Sequence, residues 1–266
     1  MAQHDPAAAQ HGRSVPRLHV IVGASPPADT LAMVDAALAG GAPCVQLRVK
    51  SVSDRDLHAL AVAVVARCQH AGATCIINDR PDVALASGAD GVHLGADDLP
   101  VAAVRELAGA RLLVGGTARD PGTARNLAAA GADYLGVGPV YGTQTKDGLP
   151  TPFGPDGLAP VAASVDIPII AIAGITVDRI AEVVAAGAHG VAVAGAVTDA
   201  ADPIEATRAL VAALAQHPAT RSTARRHPAT ETHPATQTHP ATQRQSATQS
   251  QPETQPASQP TSGRRR

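Results

Sequence analysis

The 266-residue sequence predicts an α/β fold, a closed (β/α)8 TIM barrel, from a repeated local unit and from the number of its copies. The unit is an Ala-rich amphipathic run, a Gly-Ala pair and a short apolar strand, as in "AGADYLGV" and "AGAHGVAV". Glycine just past a helix is a common C-cap, so each Gly-Ala marks a helix end. Eight such strands in about 200 residues fit a small barrel.

The predicted strands, each followed by a helical stretch, are 18–23, 44–50, 74–78, 91–94, 112–116, 134–138, 169–173 and 190–194. A doubly wound open sheet is the structural alternative. The count of eight and the lack of a dinucleotide glycine pattern after the first strand argue against it. With only two Tyr, one Phe and no Trp in the chain, an aliphatic core is expected.

The two ends of the chain differ in composition from the 17–216 segment. Residues 217–266 repeat "HPAT" and contain no Val, Ile, Leu, Phe, Tyr or Trp. Such a segment cannot bury enough apolar surface to offset the entropy of ordering. We therefore expect a disordered arm over 1–16, a TIM-barrel catalytic domain over 17–216 and a disordered low-complexity tail over 217–266. Metal binding by the tail histidines is an alternative to a solvated extension.

Composition also restricts the compartment and the partners. Cys44, Cys68 and Cys75 are odd in number and lack metal-site spacing, which indicates reduced, mostly buried thiols in a cytoplasmic protein. No apolar run reaches the ~18 residues of a membrane span, and the N-terminus lacks the apolar region of a secretory signal. The seven tail arginines are too dispersed to indicate nucleic-acid binding.

Carboxylates follow two neighbouring predicted strands. Asp79 ends the third strand, and Asp97 and Asp98 follow the fourth. The C-terminal strand ends of such a barrel form its active site. Two carboxylates there suit Mg2+, which binds one or two carboxylates, waters and substrate phosphate oxygens. N-capping of the next helix by Asp97 or Asp98 is an open alternative.

The second predicted strand, "VQLRVK", combines apolar and cationic residues. Period-two alternation places Gln46, Arg48 and Lys50 on one face, and Leu47 and Val49 on the other. The apolar face is expected to pack on helices, so the polar face points into the barrel top. An edge strand with solvated charges is the alternative, but a closed barrel has no edges.

Two further regions favour phosphate binding. The segment "GVGPVYGTQTKDGLPTPFGP" is long for a βα loop and carries Thr143, Thr145 and Lys146, which suit phosphate unless the loop is a plain surface turn. "AIAGIT" and "AVAGAV" end strands seven and eight with small residues that let backbone N–H groups approach a phosphate. His93, within strand four, is expected to be a satisfied core residue outside the site.

These groups indicate two anionic substrates, one of them a diphosphate held by Mg2+ and cations. A metal and cations stabilise the charge that develops on a departing diphosphate. The sequence presents no evident Ser-His-Asp or Cys-His set. We therefore predict displacement of diphosphate without a covalent enzyme intermediate.

Four motifs, "VQLRVK", "INDRPDVALASGADGVHLGADD", "GVGPVYGTQTKDG" and "AIAGIT", lie in order within 17–216 and together resemble the thiamine-phosphate synthase (thiamine-phosphate pyrophosphorylase) family. The resemblance implies a Mg2+-dependent transferase of thiamine biosynthesis. It would condense 4-amino-2-methyl-5-(diphosphooxymethyl)pyrimidine with 4-methyl-5-(2-phosphooxyethyl)thiazole, giving thiamine monophosphate and diphosphate. It also implies a dissociative course, in which diphosphate leaves first and the thiazole nitrogen captures a pyrimidine methyl cation.

The resemblance also implies residue roles. Arg48, Lys50 and Lys146 would be catalytic, and Asp79 and Asp98 would ligate Mg2+. The pyrimidine diphosphate would be bound by Gln46, Leu47, Arg48, Val49, Lys50, Asn78 and Thr117. The thiazole phosphate and the diphosphate would be bound by Thr143, Gln144, Thr145, Lys146, Gly174, Ala194 and Gly195.

Some positions depart from the residues usual in the family. Val49 stands for Glu, Gly142 for Pro, Ala173 for Gly, Gly195 for Ser and Thr117 for Ser. We expect little effect from Val49, which faces helices, whereas the Ala173 methyl group is expected to crowd a phosphate.

Two other functions are kept as alternatives: a thiazole tautomerase-like relative and a non-catalytic sensor of thiamine phosphate. Retention of the charged site residues favours the synthase. The expected partners are small-molecule substrates, with a homodimer implied by the family and no nucleic acid or membrane.

Overall fold

A computed structural model describes residues 14–23, 27–143, 148 and 150–219. Within this part of the chain, eight parallel strands alternate with helices and close into a barrel in the order β1 to β8. The predicted TIM-barrel fold is therefore confirmed. The proposed arm, up to residue 13, and the tail from residue 220 lie outside the described residues. No helix in the described ranges has the length and apolar character needed to cross a bilayer.

Most predicted strands agree with the structure to within one residue. The strands are β1 (Leu18–Val22), β2 (Cys44–Leu47), β3 (Thr74–Asn78), β4 (Gly91–Leu94), β5 (Leu113–Ala118), β6 (Tyr134–Val137), β7 (Ile169–Ile172) and β8 (Gly190–Val193). Two predicted bounds are wrong by more: β2 ends at Leu47 rather than Lys50, and β5 continues to Ala118 rather than stopping at Gly116.

The helices cover the outside of the barrel. They are α1 (Pro27–Ala39), α2 (Asp54–Ala71), α3 (Pro81–Ser87), α4 (Val101–Ala108), α5 (Pro121–Ala129), α6 (Gly154–Ala163), α7 (Ile180–Ala185), α8 (Gly195–Thr198) and α9 (Pro203–Gln216), with a 3-10 turn (Val177–Arg179) before α7.

The repeated Gly-Ala pair is a helix stop of one geometry. The glycine of each pair has a positive φ, between 68° and 100°, at Gly41, Gly72, Gly88, Gly131 and Gly187. The following alanine N–H donates to the carbonyl five residues earlier, for example Ala73 to Cys68 O at 2.8 Å and Ala188 to Val183 O at 3.0 Å. This is the Schellman arrangement, which satisfies carbonyls left open at the helix end. The pattern thus leads α1, α2, α3, α5 and α7 directly into the following strand.

The barrel has two apolar layers. The larger lies between strands and helices and includes Leu47, with Val49 packed against it. The smaller fills the interior and consists of Cys44, Ile76, Tyr134, Ile170 and Ala192. Tyr134 is the largest side chain of this inner layer, and one side of its ring faces Gly115. A Cβ at Gly115 would lie 2.1 Å from Tyr134 Cζ, so the glycine leaves room for this ring.

The three cysteines are free and buried, as predicted. A hydrogen bond with Cys68 and burial both raise the pKa of the Cys75 thiol, and burial raises the pKa of Cys44. These thiols are therefore inert packing groups.

His19 occupies the barrel interior with 1% of its surface exposed. Its Nε2 lies 3.0 Å from Pro16 O, and its ring meets Tyr134 edge-on with centroids 5.2 Å apart. Burial, together with the neighbouring His93, lowers the pKa of His19 from 6.5 to about 3. Between about pH 6.5 and about pH 3, His19 is therefore neutral in the folded protein and protonated in the unfolded chain.

We predict that His19→Gln weakens the pH dependence of stability. In the wild type the unfolded state binds an extra proton as the pH falls from about 6.5 towards about 3. The free energy of unfolding then drops by up to roughly 1.4 kcal/mol per pH unit. Gln can still donate to Pro16 O but does not titrate. Urea unfolding of both proteins at pH 7.5 and pH 5 measures the difference, and equal losses on acidification would contradict it.

Candidate functional site

The ends of β2, β3 and β4 meet at Asp79. This residue follows β3 in the left-handed region, with φ 66°, and its N–H donates to His93 O at 2.8 Å. Its carboxylate accepts a hydrogen bond from Lys50 Nζ at 2.8 Å and shares another with Asp98. A non-glycine residue at positive φ is uncommon, and Asp tolerates it better than most. The backbone is therefore bent where it aims this carboxylate at its partners.

The two acids have different proton affinities. Burial acts to raise the pKa of Asp79, but the hydrogen bonds from Asp98 and Lys50 outweigh it and lower that pKa. Burial and the Asp79 hydrogen bond raise the pKa of Asp98. The Lys50 ammonium group thus offsets part of the negative charge of the pair, and a divalent cation could take over this role.

The acids are arranged as a pair rather than as helix caps. Asp98 Oδ2 accepts the Gly95 N–H at 2.6 Å. Helix α4 begins after Pro100, which has no side-chain capping bond, so the capping alternative for Asp97 and Asp98 is wrong. A Cβ at Gly95 would lie 2.9 Å from Asp98 Oδ2 and 4.0 Å from Asp79 Oδ1, so glycine keeps the space beside both acids open.

The described residues contain no group of three or more His, Cys, Asp or Glu side chains arranged for a metal ion. The Asp79–Asp98 pair still fits Mg2+, because this ion takes one or two carboxylates and completes its shell with waters and substrate phosphate.

The polar residues of the β2 segment lie beside this pair. Gln46 is 3% exposed and its Nε2 donates to Asn78 Oδ1 at 3.4 Å. The charge of Arg48 helps to lower the pKa of Asp79. Regular β2 pairing with β3 ends at Leu47, although Arg48 N–H still bonds Val22 O at 2.8 Å. The expected alternation over 48–50 is therefore not imposed by a strand.

Two residues of the segment turn away from the mouth. Leu47 is buried between the sheet and the helices, and Val49 packs against the same layer. Their side chains therefore belong to the core, and they can contribute to a site only through their backbone.

Thr117 lies inside the unpredicted end of β5, opposite Gly136 of β6. Its hydroxyl donates to Leu94 O at 3.1 Å and lies 3.1 Å from His93 Nε2. Sequence reasoning placed His93 outside the site. The signal that links the two is inward alternation, since His93 pairs with Gly115, two residues before Thr117.

The segment after β6 is fixed against β7 and α7. Tyr141 N–H donates to Ala173 O at 3.1 Å, and its hydroxyl donates to Glu182 Oε2 at 2.6 Å. The Arg179 guanidinium lies 4.2 Å from the Tyr141 ring centroid. Thr143 is partly buried. The predicted site residues Gln144, Thr145 and Lys146 lie outside the described residues.

Residues 173–174 bring β7 close to this segment. A Cβ at Gly174 would lie 2.4 Å from Gly142 O, so only glycine fits there, and Gly174 O accepts the Arg179 guanidinium at 2.5 Å. Ala173 has φ 78°, a region that disfavours a Cβ. Ala194 and Gly195 lie at the end of β8, where α8 begins.

A separate surface groove of about 460 Å3 lies between the last turns of α1 and α2, lined by Asp35, Leu38, Ala39, Ala66, Arg67, His70 and Ala71. It contains none of the predicted site residues.

Comparison with known proteins gives consistent results. Residues 18–197 match the family described as thiamine monophosphate synthase. A thiamine-phosphate synthase of Salinispora arenicola is 52% identical over 204 residues, which cover 76% of this chain and 98% of that protein. One from Chlorobium luteolum is 47% identical, covering 68% and 86%. The solved thiamine phosphate pyrophosphorylase of Pyrococcus furiosus superposes with a TM-score of 0.69 at 34% identity, covering 75% and 96%.

We predict that Ala173→Gly stabilises the protein. Removing the methyl group at a φ of 78° relieves strain of about 1 kcal/mol. The matched control is Ala59→Gly at an exposed position within α2, which should destabilise by about 1 kcal/mol. Chemical unfolding measures both, and a loss of stability at position 173 as large as at position 59 would contradict the strain.

Proposed function

The chain belongs to the thiamine monophosphate synthase family and is a transferase that forms thiamine phosphate. We propose that the C-terminal ends of the barrel strands bind both substrates for this condensation. The diphosphate of the pyrimidine substrate binds where β2, β3 and β4 end. The thiazole phosphate binds at the ends of β7 and β8. The observation that carries this proposal is the direct contact of Asp79 with both Lys50 and Asp98.

The proposed diphosphate site contains cations that can bind the diphosphate and carboxylates that can bind a metal ion. The Lys50 side chain is 61% exposed, so its ammonium group is accessible while Asp79 orients it. Arg48 adds a second cation, and Lys146 a third according to the family resemblance. Asp79 and Asp98 would hold Mg2+, which when bound would neutralise charge on the departing diphosphate. The chain's own cations contribute in the same direction, because they stabilise negative charge that grows as the bond breaks.

The pyrimidine ring would lie deeper in the mouth. Gln46 and Asn78, hydrogen-bonded to each other across β2 and β3, present amide groups there. Thr117 presents its hydroxyl from β5. These neutral groups can orient a heterocycle without competing for the metal.

The thiazole phosphate would meet the backbone of Gly174, Ala194 and Gly195. Gly174 and Gly195 have no side chain to obstruct an anion. By the resemblance, Thr143, Gln144 and Thr145 add hydroxyl and amide contacts from the loop after β6.

The described residues favour positioning over covalent catalysis. All three thiols are buried, and the Thr117 hydroxyl donates a hydrogen bond to Leu94 O. The substrates would therefore react without a covalent enzyme intermediate, positioned by the barrel mouth. We further propose a cytoplasmic location and, from the family resemblance, a homodimer.

We predict that Asp79→Asn and Asp98→Asn each lower kcat/KM by at least about 100-fold at limiting Mg2+. Each change removes a charge from the carboxylate pair while keeping its shape. The matched control is Asp97→Asn, which alters the exposed neighbouring acid and should leave kcat/KM within about twofold. Thiamine phosphate formation from the two substrates, measured across a Mg2+ series, provides the data.

Full activity of both variants at limiting Mg2+ would contradict the metal assignment. An inactive wild type that binds thiamine phosphate would favour the sensor function instead.

We also predict that the tail is dispensable for turnover. The Arg17 guanidinium donates to His189 O, Leu214 O and His217 O at 2.6–2.7 Å, so the cut should fall after Ala219. A chain of residues 1–219 should keep kcat, both KM values and the melting temperature. A chain ending at Ala209 loses the buried Leu210 and Leu214 and should melt at a lower temperature. A large rate loss in the 1–219 chain would overturn the proposed domain boundary.

A further inference from the structure

A line of hydrogen bonds runs from the barrel interior to the mouth. Tyr134 Oη lies 3.2 Å from His93 Nδ1, and His93 Nε2 lies 3.1 Å from Thr117 Oγ1. Thr117 Oγ1 in turn lies 3.1 Å from Leu94 O. Tyr134 is buried, whereas His93 and Thr117 are partly exposed. The line therefore connects a buried phenol to a hydroxyl in the proposed pyrimidine pocket.

The donor and the acceptor of each hydrogen bond in this line follow from Leu94 O, the acceptor at its end. A carbonyl oxygen can only accept, so the Thr117 hydroxyl donates its one proton to Leu94 O. Thr117 Oγ1 must then accept from His93, which places the ring hydrogen on Nε2. His93 Nδ1 is left with a lone pair and accepts from the Tyr134 hydroxyl. Burial raises the pKa of Tyr134, so this phenol keeps its proton.

Packing holds the imidazole in place. The rings of His93 and Tyr134 stack at 28° with centroids 5.6 Å apart, and His19 contacts Tyr134 edge-on. A Cβ at Gly136 would lie 2.8 Å from His93 Cε1, so glycine provides the space that the ring occupies. The ring nitrogen therefore reaches Thr117 in one orientation.

We propose that His93 is a positioning residue, which makes the Thr117 hydroxyl a hydrogen-bond acceptor towards the bound pyrimidine. Of the two lone pairs on Oγ1, one takes the His93 N–H and the other can face the substrate. Because the Thr117 hydroxyl donates its only hydrogen to Leu94 O, it cannot also donate to a phosphate oxygen or to a ring nitrogen. Its partner is an N–H donor, the exocyclic amino group of the aminopyrimidine. This inference rests on the proposed function, because Thr117 must lie against that substrate.

The kinetic test compares His93→Leu, which removes the donor, with His93→Gln, which keeps an N–H donor on a side chain of similar reach. His93→Leu should raise KM for the pyrimidine diphosphate by about two- to tenfold, the value of one hydrogen bond. KM for the thiazole phosphate should stay within about twofold, and His93→Gln should recover most of the loss.

A double-mutant cycle separates positioning from a general structural effect. In a Thr117→Val background the hydroxyl is absent, so His93→Leu should leave KM for the pyrimidine diphosphate unchanged. Additive effects of the two substitutions, or equal changes in both KM values, would overturn the proposal.

A second measurement does not depend on turnover. The 15N and 1H spectrum of the His93 ring in the full-length protein at neutral pH should show the neutral Nε2–H tautomer, and Tyr134→Phe should reduce its population. An Nδ1–H tautomer would overturn the proposal even in an active enzyme. If the wild type formed no thiamine phosphate, the proposed function would fail while the spectrum still decided the direction of the bonds.

Discussion

The contact between Asp79, Lys50 and Asp98 is the constraint on which the arrangement of the mouth depends. Asp79 adopts a left-handed conformation directly after β3, and this bend directs its carboxylate across the ends of two neighbouring strands. The barrel makes the contact possible, because its closure places β2, β3 and β4 side by side with a common direction. Two carboxylates and an ammonium group that lie far apart in the sequence thereby come into contact. This arrangement suits a metal ion and an anionic leaving group.

The interior of the barrel supports the mouth from below. Tyr134 fills the space beside Gly115, and His93 fills the space beside Gly136. The two rings stack, and His93 contacts Thr117. The packing of Tyr134 inside the barrel therefore fixes the hydrogen bond that His93 makes to Thr117 at the rim. The same holds between β6 and β7, where Gly174 and Arg179 fix the start of the loop proposed to bind phosphate.

Local signals were sufficient for most of the fold. The Gly-Ala pair predicted the ends of α1, α2, α3, α5 and α7, because it forms a Schellman stop there. The predicted end of β5 at Gly116 was wrong, because the strand continues to pair with β6 as far as Ala118. The glycine at position 115 makes room for the ring of Tyr134, which is distant in the sequence. The extent of β2 was wrong for a similar reason, since its pairing with β3 ends before its apolar pattern does. The contact between His93 and Thr117 depends on the register between β4 and β5, which the sequence of either strand alone does not determine.

A crystal structure of the full-length protein with Mn2+ in place of Mg2+ and with inorganic diphosphate would test the central claim most directly. The account predicts an anomalous peak between the carboxylates of Asp79 and Asp98, with diphosphate oxygens on the metal and on the Lys50 ammonium. A metal ion or diphosphate bound away from the ends of β2, β3 and β4, with the Asp79–Lys50 contact unchanged, would contradict it.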